Sequence, residues 1–231
     1  MVIICLMKNT EKLAKENNRD YALRVIRENI INLELKPGSM ISEQDIAEEL
    51  HLSRTPVHEA LQELARTKII EIMPQKGSLV SLVDMKRVDE AVFMRATIES
   101  AVAEEASKLV NDSDIAQMEA NIKLQKFYHE TKDVEKLLEA DNQFHELLYK
   151  ITNKMQCFYM VRLMNIHYDR FREMKMHTID GEPIINEHIE ILNAIKARNP
   201  EQAKQALLKH INRLYLDVVK IKNNYPNYFA E

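Results

Sequence analysis

Four ionisable side chains interrupt apolar faces of predicted helices in the C-terminal half of this chain. Asp141 and His145 are four residues apart and therefore share one helical face, which also carries Leu137, Leu138 and Leu148. An ionised carboxylate on a buried face is costly unless a cation compensates it. The spacing therefore predicts that a cation lies next to Asp141.

Two further histidines repeat this pattern towards the C-terminus. His188 and His210 each fall within an apolar stripe, whose other members are Ile184, Ile191 and Ile195 for the first and Ala203, Leu207 and Leu214 for the second. One histidine on such a face is more often a hydrogen-bonded core residue than a metal ligand. Three imidazoles together with one carboxylate are instead a plausible set of ligands for a divalent metal. We therefore predict that Asp141, His145, His188 and His210 bind one divalent metal per subunit.

The types of these ligands narrow the choice of metal. Nitrogen and oxygen donors suit Zn²⁺ best here, with Ni²⁺ and Mn²⁺ as alternatives. The lack of cysteine among them argues against a closed structural zinc site. The remaining histidines are expected to be ordinary surface or core residues: His51, His129, His167 and His177.

Helices must position these ligands, and the second part of the chain is predicted to be helical almost without interruption. Short polar turns separate six predicted helices, near 84–109, 112–130, 132–151, 154–176, 183–198 and 200–222. No glycine-rich phosphate loop is visible, and no Ser-His-Asp set can be picked out from spacing. The sequence thus predicts an all-α domain and shows no ordinary catalytic signature.

The N-terminal part predicts a second kind of unit. An apolar stripe over residues 23–33 marks a first helix, which the sequence KPGS ends. Ser42 and Asp45 form the capping-box pattern of a short second helix. Ser53 is expected to cap a third helix with Pro56 in its first turn, where the missing N–H of proline costs no hydrogen bond. Two short helices joined by a tight turn are typical of a helix-turn-helix.

The residues around this third helix are suited to contact DNA. Ser53, Arg54 and Thr55 project from its N-terminus, where Arg54 can reach guanine or phosphate and the exposed amides add a phosphate site. A hairpin, IIEIMPQKGSLVSLV, follows as a predicted wing, with Gly77 in its turn and Lys76 at its tip. Helix-turn-helix patterns alone are weak signals, so an ordinary small bundle stays an alternative on this evidence.

Length and composition fit two domains of a largely helical protein. The chain has 231 residues, of which 45% are apolar and 29% charged, with three Gly and six Pro. We expect a tail over 1–18, a winged helix-turn-helix domain over 19–82, an all-α domain over 84–222 and a C-terminal tail over 223–231. The apolar start MVIICLM is too short for a membrane span and is expected to be mobile or packed on a partner.

The net charge and the cysteine content limit which binding partners and which cellular compartment are expected. The net charge is −4, and residues 1–80 hold 11 Lys+Arg against 12 Asp+Glu, so DNA binding must rest on a few well-placed contacts. The two cysteines, Cys5 and Cys157, cannot form a disulfide framework, which favours a reducing compartment and hence the cytoplasm.

A long part of the N-terminal sequence resembles a known family. LKPGSMISEQDIAEELHLSRTPVHEALQELARTKIIEIMPQKGSLV is similar throughout to the DNA-binding domain of GntR-type bacterial transcription regulators, with their PG turn, S-R-T-P-V-x-E-A-L string and P-x-x-G-x-x-V wing. His58 and Gln44 stand where relatives usually carry arginines that contact bases or phosphates. Lys68 replaces the usual glycine after the recognition helix. The resemblance implies DNA binding by these positions, with half of the usual base-reading set altered.

The C-terminal half resembles the effector-binding domain of the FadR subfamily, called FCD. The strings that carry this resemblance are EADNQFHELLYKITN, NEHIEILNAIKARNPEQAKQALLKHI and FMRATIESAVAEEA. Metal-binding members use a D-x-x-x-H pair plus two later histidines, and all four positions are filled here. The resemblance implies an antiparallel helical bundle around a cavity, in which the metal helps to hold a small carboxylate effector. A count of six helices favours the VanR-like branch.

Arg95 is a further polar residue on an apolar stripe, three residues after Val92 and seven before Val102. The spacing allows a surface arginine or an ion pair with Glu99, one helical turn later. Relatives often direct an arginine at this place into the cavity, so the resemblance implies that Arg95 binds the effector.

Three functions from different classes remain. The favoured one is a metal-containing, ligand-responsive DNA-binding regulator, which would be a homodimer because two recognition helices read an inverted-repeat operator. The second is a regulator for which the metal itself is the signal. The third is a metalloenzyme whose Asp/His₃ centre activates water, although no general base is identifiable and the winged helix would then be unexplained.

Overall fold

The computed structural model describes residues 7–230, which divide into two compact units. The first comprises the chain up to Val88, the segment Ile166–Glu173 and the residues from Tyr225 onwards. The second comprises Asp89–Asn165 and Met174–Asn224. Within the described part of the chain, no helix is both long and apolar enough to cross a membrane.

The first unit contains three helices and a small antiparallel sheet. In chain order these are α1 Asn18–Ile31, β1 Met40–Ile41, α2 Glu43–Glu49, α3 Arg54–Arg66, β2 Ile70–Met73 and β3 Gly77–Val80. β3 is the central strand and pairs with both neighbours. The winged helix-turn-helix expected from the sequence is confirmed, with the two-residue strand β1 as an addition too short to show any alternation of apolar residues.

Apolar faces of the three helices form the core of this unit. The buried residues of α3 lie four and three apart, as predicted, and pack with α1 and α2; they are Val57, Ala60, Leu61 and Leu64. Ser42 caps α2 by accepting from the amides of Gln44 and Asp45. Ser53 stands at the N-cap of α3, as predicted, but its side chain makes no capping hydrogen bond. The third residue of α3 is Pro56, which has no amide proton to donate to a capping side chain.

Three backbone positions with positive φ shape the wing and the approach to it: Lys68, Gln75 and Gly77. Gly77 has φ +109, and a Cβ there would lie 2.7 Å from the carbonyl oxygen of Ile41, so only glycine fits. Lys68, at the position where relatives carry glycine, has φ +62. The chain therefore keeps the turn after α3 in a left-handed conformation that a lysine side chain disfavours.

Segments remote in sequence complete the first unit. Met7 is buried in its apolar core, and the Met7 amide donates to Glu49, so this residue of the expected N-terminal tail packs on the first unit. Residues 1–6, which hold most of MVIICLM, lie outside the described residues. Near the C-terminus, Ala230 donates to Val83 at 3.0 Å. Arg170 donates to the carbonyl of Ser81 at 2.6 Å, which ties the segment Ile166–Glu173 to the end of the wing.

Helices follow the wing almost continuously. They are α4 Met85–Leu109, α5 Asp112–Glu130, α6 Val134–Ile151, α7 Met155–Met164, α8 Ile166–Met176, α9 Glu182–Lys196, α10 Pro200–Asn212 and α11 Leu214–Asn224. In the second unit α5 packs against α6 and α9, and α9 packs against α10. The all-α bundle expected from the sequence is confirmed.

The predicted number of six helices was wrong, because two of the predicted helices break. The segment 154–176 is interrupted at Asn165 and the segment 200–222 at Arg213. At the second break the Arg213 amide donates to both Lys209 and His210, and the ladder tightens to a three-residue step. Neither break carries glycine or proline. The VanR-like branch, which rested on the helix count, stays a prediction.

Candidate metal centre and nucleic-acid interface

The three predicted histidine ligands meet inside the second unit. They come from three helices: His145 from α6, His188 from α9 and His210 from α10. The Nε2 atom of His210 lies 3.3 Å from Nε2 of His188 and 3.3 Å from Nε2 of His145. One ligand atom from each ring lies within 4.8 Å of the other two, and all three rings are buried. Helices far apart in sequence thus direct the same ring atom to one point.

Asp141 lies beside this group of three histidines. It lies one helical turn before His145 on α6 and is buried. Its Oδ2 is 3.8 Å from Nε2 of His145, and its Oδ1 is 3.8 Å from Nε2 of His188. The structure therefore brings together all four residues that the sequence pattern selected.

The outward nitrogen of each histidine faces an acceptor oxygen. His145 Nδ1 is 2.7 Å from Glu99 Oε2, His188 Nδ1 is 2.8 Å from Gln125 Oε1, and His210 Nδ1 is 3.2 Å from Glu187 Oε2. Because these oxygens can only accept, they favour the proton on Nδ1 in each ring. The lone pair of each neutral imidazole is then on Nε2, the atom that points to the common centre.

This arrangement fits a divalent metal. Two nitrogen ligands at about 2.0–2.1 Å from Zn²⁺ with a tetrahedral angle lie roughly 3.3–3.4 Å apart, which matches the two Nε2 separations. Lone pairs brought this close repel one another unless a cation lies between them. The mixture of nitrogen and carboxylate donors also suits Zn²⁺, Ni²⁺ or Mn²⁺.

Charges around the centre support the protonation states that metal ligands require. Burial acts to raise the pKa of Glu99, but the charge of Arg95, together with the contact from His145, outweighs it and holds that pKa well below its usual range. Burial places the pKa of His210 well below the ordinary histidine value. Glu99 is therefore an anion and His210 a neutral imidazole at neutral pH.

Arg95 is buried in this region and forms an ion pair. Its Nε lies 2.7 Å from Glu99 Oε1, and its Nη2 lies 3.2 Å from Glu99 Oε2. The surface position that the sequence left open is therefore excluded, and the pairing with Glu99 is present. Through Glu99, Arg95 is linked to the predicted ligand His145.

Sequence reasoning missed three residues that support the histidines. Glu187 precedes His188 on α9 and joins His210 to Arg213, whose Nη1 lies 2.9 Å from the carboxylate. Gln125 and Asn121 lie on α5, which carries none of the four ligands. A signal existed for this pair, because polar residues four apart share a helical face with the buried Met118 and Ile122.

The predicted DNA-contacting residues lie in the first unit. Most of them are exposed, at the N-terminal end of α3, on α2 and at the wing tip: Ser53, Arg54, Thr55, His58, Gln44 and Lys76. Gly77 is half-buried at the start of β3 and serves the turn geometry. The helix N-terminus is thus presented to solvent, as DNA recognition requires.

Glu43, which the sequence did not single out, lies among these residues. Its Oε1 is 2.7 Å from Nδ1 of His58, and its Oε2 is 3.6 Å from Nη2 of Arg54. The side chain of Arg54 stays 67% exposed in this arrangement. One carboxylate therefore holds two of the predicted base-reading groups before any DNA is present.

Family models match both units. The model for the FCD domain matches residues 90–213, and the model described as bacterial regulatory proteins, gntR family, matches residues 21–80. The chain belongs to the GntR family of bacterial regulatory proteins. It is thus a DNA-binding transcription regulator with an FCD effector-binding domain, and its family consists of regulators rather than enzymes.

Individual relatives agree with this assignment. The HTH-type transcriptional repressor RspR of Escherichia coli K12 is 30% identical over 209 residues, which are 90% of this chain and 92% of the relative. The gluconate operon transcriptional repressor of Bacillus licheniformis is 25% identical over 84% of this chain and 80% of its own. The structure of E. coli McbR/YncC has a TM-score of 0.76 at 19% identity, covering 91% of this chain and 99% of that one, and shows the same fold.

Proposed function

We propose that this GntR regulator binds a divalent metal through Asp141, His145, His188 and His210, and that a small carboxylate effector at this metal modulates its affinity for an operator. The observation that carries the proposal is the convergence of three Nε2 atoms whose rings are each held by an acceptor at Nδ1. Zn²⁺ is the metal we expect, with Ni²⁺ and Mn²⁺ as alternatives.

An anionic effector follows from the charges around the centre. The formal charges of Glu99 and Arg95 cancel, as do those of Glu187 and Arg213. With Asp141 at −1, a divalent ion brings the sum for these groups to +1. A bound metal supplies a Lewis acid that attracts an oxygen anion in such surroundings. A carboxylic acid is therefore the favoured class, and gluconate, in the name of one relative, belongs to it.

Arg95 is the residue that we propose as the second contact of the effector. Its Nε and Nη2 donate to Glu99, which places the guanidinium next to the predicted ligand His145. An arginine next to a metal centre suits a carboxylate, because the guanidinium and the metal can each take one oxygen. Removal of Arg95 alone would leave Glu99 as a buried anion, so a test must change both residues together.

The partner of the first unit is proposed to be an inverted-repeat operator read by a homodimer. The contacts that we assign to DNA are Gln44, Ser53, Arg54, Thr55, His58, Lys76 and Gly77. An effector changes operator affinity only by its differential binding to two arrangements of the dimer, typically by about 1–3 kcal/mol. DNA must change effector affinity by the same factor.

A thermal-shift panel tests the effector proposal. Hydroxy acids, sugar acids and dicarboxylates are added to metal-loaded protein, to chelated protein and to the double variant Arg95→Met/Glu99→Gln, in which both charges are removed and an acceptor for His145 is kept. Stabilisation by an acid should require both the metal and Arg95. Acids that stabilise all three samples equally would contradict this site.

Titration of each stabilising acid against labelled operator then tests the regulatory coupling. We expect a shift in operator affinity of about 5- to 150-fold. An acid that binds at the metal and leaves operator affinity unchanged would contradict the modulation, while the metal site itself would stand.

A further inference from the structure

A chain of buried amides leads from the backbone of α6 to His188. The Nδ2 of Asn121 donates to the carbonyl of Ala140 at 2.9 Å, and the Nε2 of Gln125 donates to Oδ1 of Asn121 at 2.7 Å. Gln125 Oε1 then lies 2.8 Å from Nδ1 of His188. Both amide side chains are buried, and Ala140 is the residue directly before the ligand Asp141.

The backbone carbonyl of Ala140 determines which group donates and which accepts in every hydrogen bond of this series. A backbone carbonyl can only accept, so the NH₂ group of Asn121 must face Ala140. The carbonyl of Asn121 then faces Gln125 and receives its NH₂ group. This leaves the carbonyl of Gln125 towards His188, which must donate from Nδ1. The ring of His188 is also stacked on Phe144, with centroids 4.2 Å apart.

We propose that Asn121 and Gln125 are positioning residues that fix the tautomer and the orientation of His188, so that Nε2 is the metal-binding atom before any metal arrives. The part of this inference that concerns the metal rests on the proposed function. By this inference α5 contributes no metal ligand, but it determines which nitrogen of His188 is available to the metal. His188 also differs from its two partners, because a neutral amide supports it where carboxylates face His145 and His210.

Nitrogen-15 NMR of histidine-labelled, chelated full-length protein tests the tautomer directly. Long-range couplings between each ring nitrogen and the carbon-bound ring protons show which nitrogen carries the proton. The His188 signals are assigned by their loss in the variant His188→Asn. We expect the proton on Nδ1 in the wild type. A proton on Nε2 would overturn the proposal, whether or not the protein binds metal.

Binding of Co²⁺, followed by its visible absorption, tests the consequence for the metal. Gln125→Leu removes the acceptor and should weaken Co²⁺ binding by about 10–100-fold and change the spectrum, as is usual for a lost partner of a ligating histidine. Gln125→Glu keeps an acceptor oxygen for His188 but loses the donor to Asn121, so it should recover only part of the affinity. Gln117→Leu, at an exposed position of the same helix, is the matched control and should have no effect.

The outcomes separate this inference from the proposed function. Equal Co²⁺ affinity and spectrum in the wild type and in folded Gln125→Leu would overturn the positioning role while the metal site remains. A wild type that binds no divalent metal would instead refute the proposed function, and the NMR result would still decide the tautomer.

Discussion

The proposed DNA-contacting surface of the first unit and the histidine centre of the second are built in opposite ways. Arg54 is two-thirds exposed and its nitrogen lies 3.6 Å from the carboxylate of Glu43, so it can change partner at little cost. His188 is completely buried, with its Nδ1 held by Gln125 and its ring stacked on Phe144. The exposed side chains around Arg54 can therefore rearrange when a charged partner binds. The buried rings of the histidine centre are already fixed in their orientation.

This difference determines how substitutions should act in the two regions. A change at the exposed surface should alter DNA affinity and leave stability nearly unchanged. A change at the buried centre should alter metal binding and stability together, because a ligand that binds only the folded state stabilises it by mass action.

The largest effect is expected for His188→Ala. Loss of a ligand should weaken metal binding by more than about 100-fold, since even the loss of a ligand's hydrogen-bond partner typically costs 10–100-fold. Metal at 100 times its Kd stabilises the folded wild type by about 2.7 kcal/mol, and this gain should vanish in the variant. Calorimetry with and without added Zn²⁺ measures it. His177→Ala, at an exposed histidine, is the control. A metal-dependent rise in Tm that survives in His188→Ala would contradict the assignment of His188 as a metal ligand.

Arg54→Ala should have the next largest effect. We expect a loss of about 1–3 kcal/mol in operator binding per half-site, with Tm unchanged. Gel shifts at physiological salt on a selected operator measure this loss. Arg66→Ala, on the last turn of the same helix and also exposed, removes the same charge as a control. Equal losses for the two variants would show that α3 contributes only general charge.

Glu43→Gln should strengthen operator binding slightly. Removal of this carboxylate releases Arg54 and His58 and reduces repulsion of phosphates, and exposed ion pairs are typically worth about 0.2–1 kcal/mol. The gain should shrink in the Arg54→Ala background, which a double-mutant cycle detects. Weaker binding of Glu43→Gln would mean that the carboxylate orients these side chains for DNA rather than occupying them.

The smallest effect is expected for Lys68→Gly. Relief of the left-handed conformation at φ +62 should be offset in part by the greater freedom of glycine in the unfolded chain, which leaves a gain of at most about 1 kcal/mol. Thermal unfolding measures it. Lys76→Gly, which lacks a positive φ, should not stabilise, and a loss of stability in Lys68→Gly would contradict the assigned strain.

The sequence predicted most of the helices and the four proposed ligands, for a common reason. Apolar residues recur with helical spacing, so a polar residue on such a face is visible without knowledge of the fold. Asp141 and His145 stand out in this way, and the predicted helix 112–130 coincides with α5. The exposed end of α3 was predictable because Pro56 marks a first turn.

Relations between helices were not predictable from the same spacing. Glu187 supports His210 only because α9 and α10 are neighbours, and Glu43 reaches His58 only because α2 turns back on α3. The breaks at Asn165 and Arg213 have no glycine or proline to mark them. Ser53 occupies the predicted N-cap of α3 without a capping hydrogen bond, and Pro56, the third residue of the helix, has no amide proton to donate to it.

Elemental analysis of the wild-type protein after exhaustive dialysis against metal-free buffer tests the central claim most directly. Three Nε2 atoms and one carboxylate directed at a common centre predict one tightly held divalent ion per chain, with Zn²⁺ the expected metal. Protein that holds no divalent metal after dialysis, and takes up none when incubated with Zn²⁺, Ni²⁺ or Mn²⁺, would contradict the account.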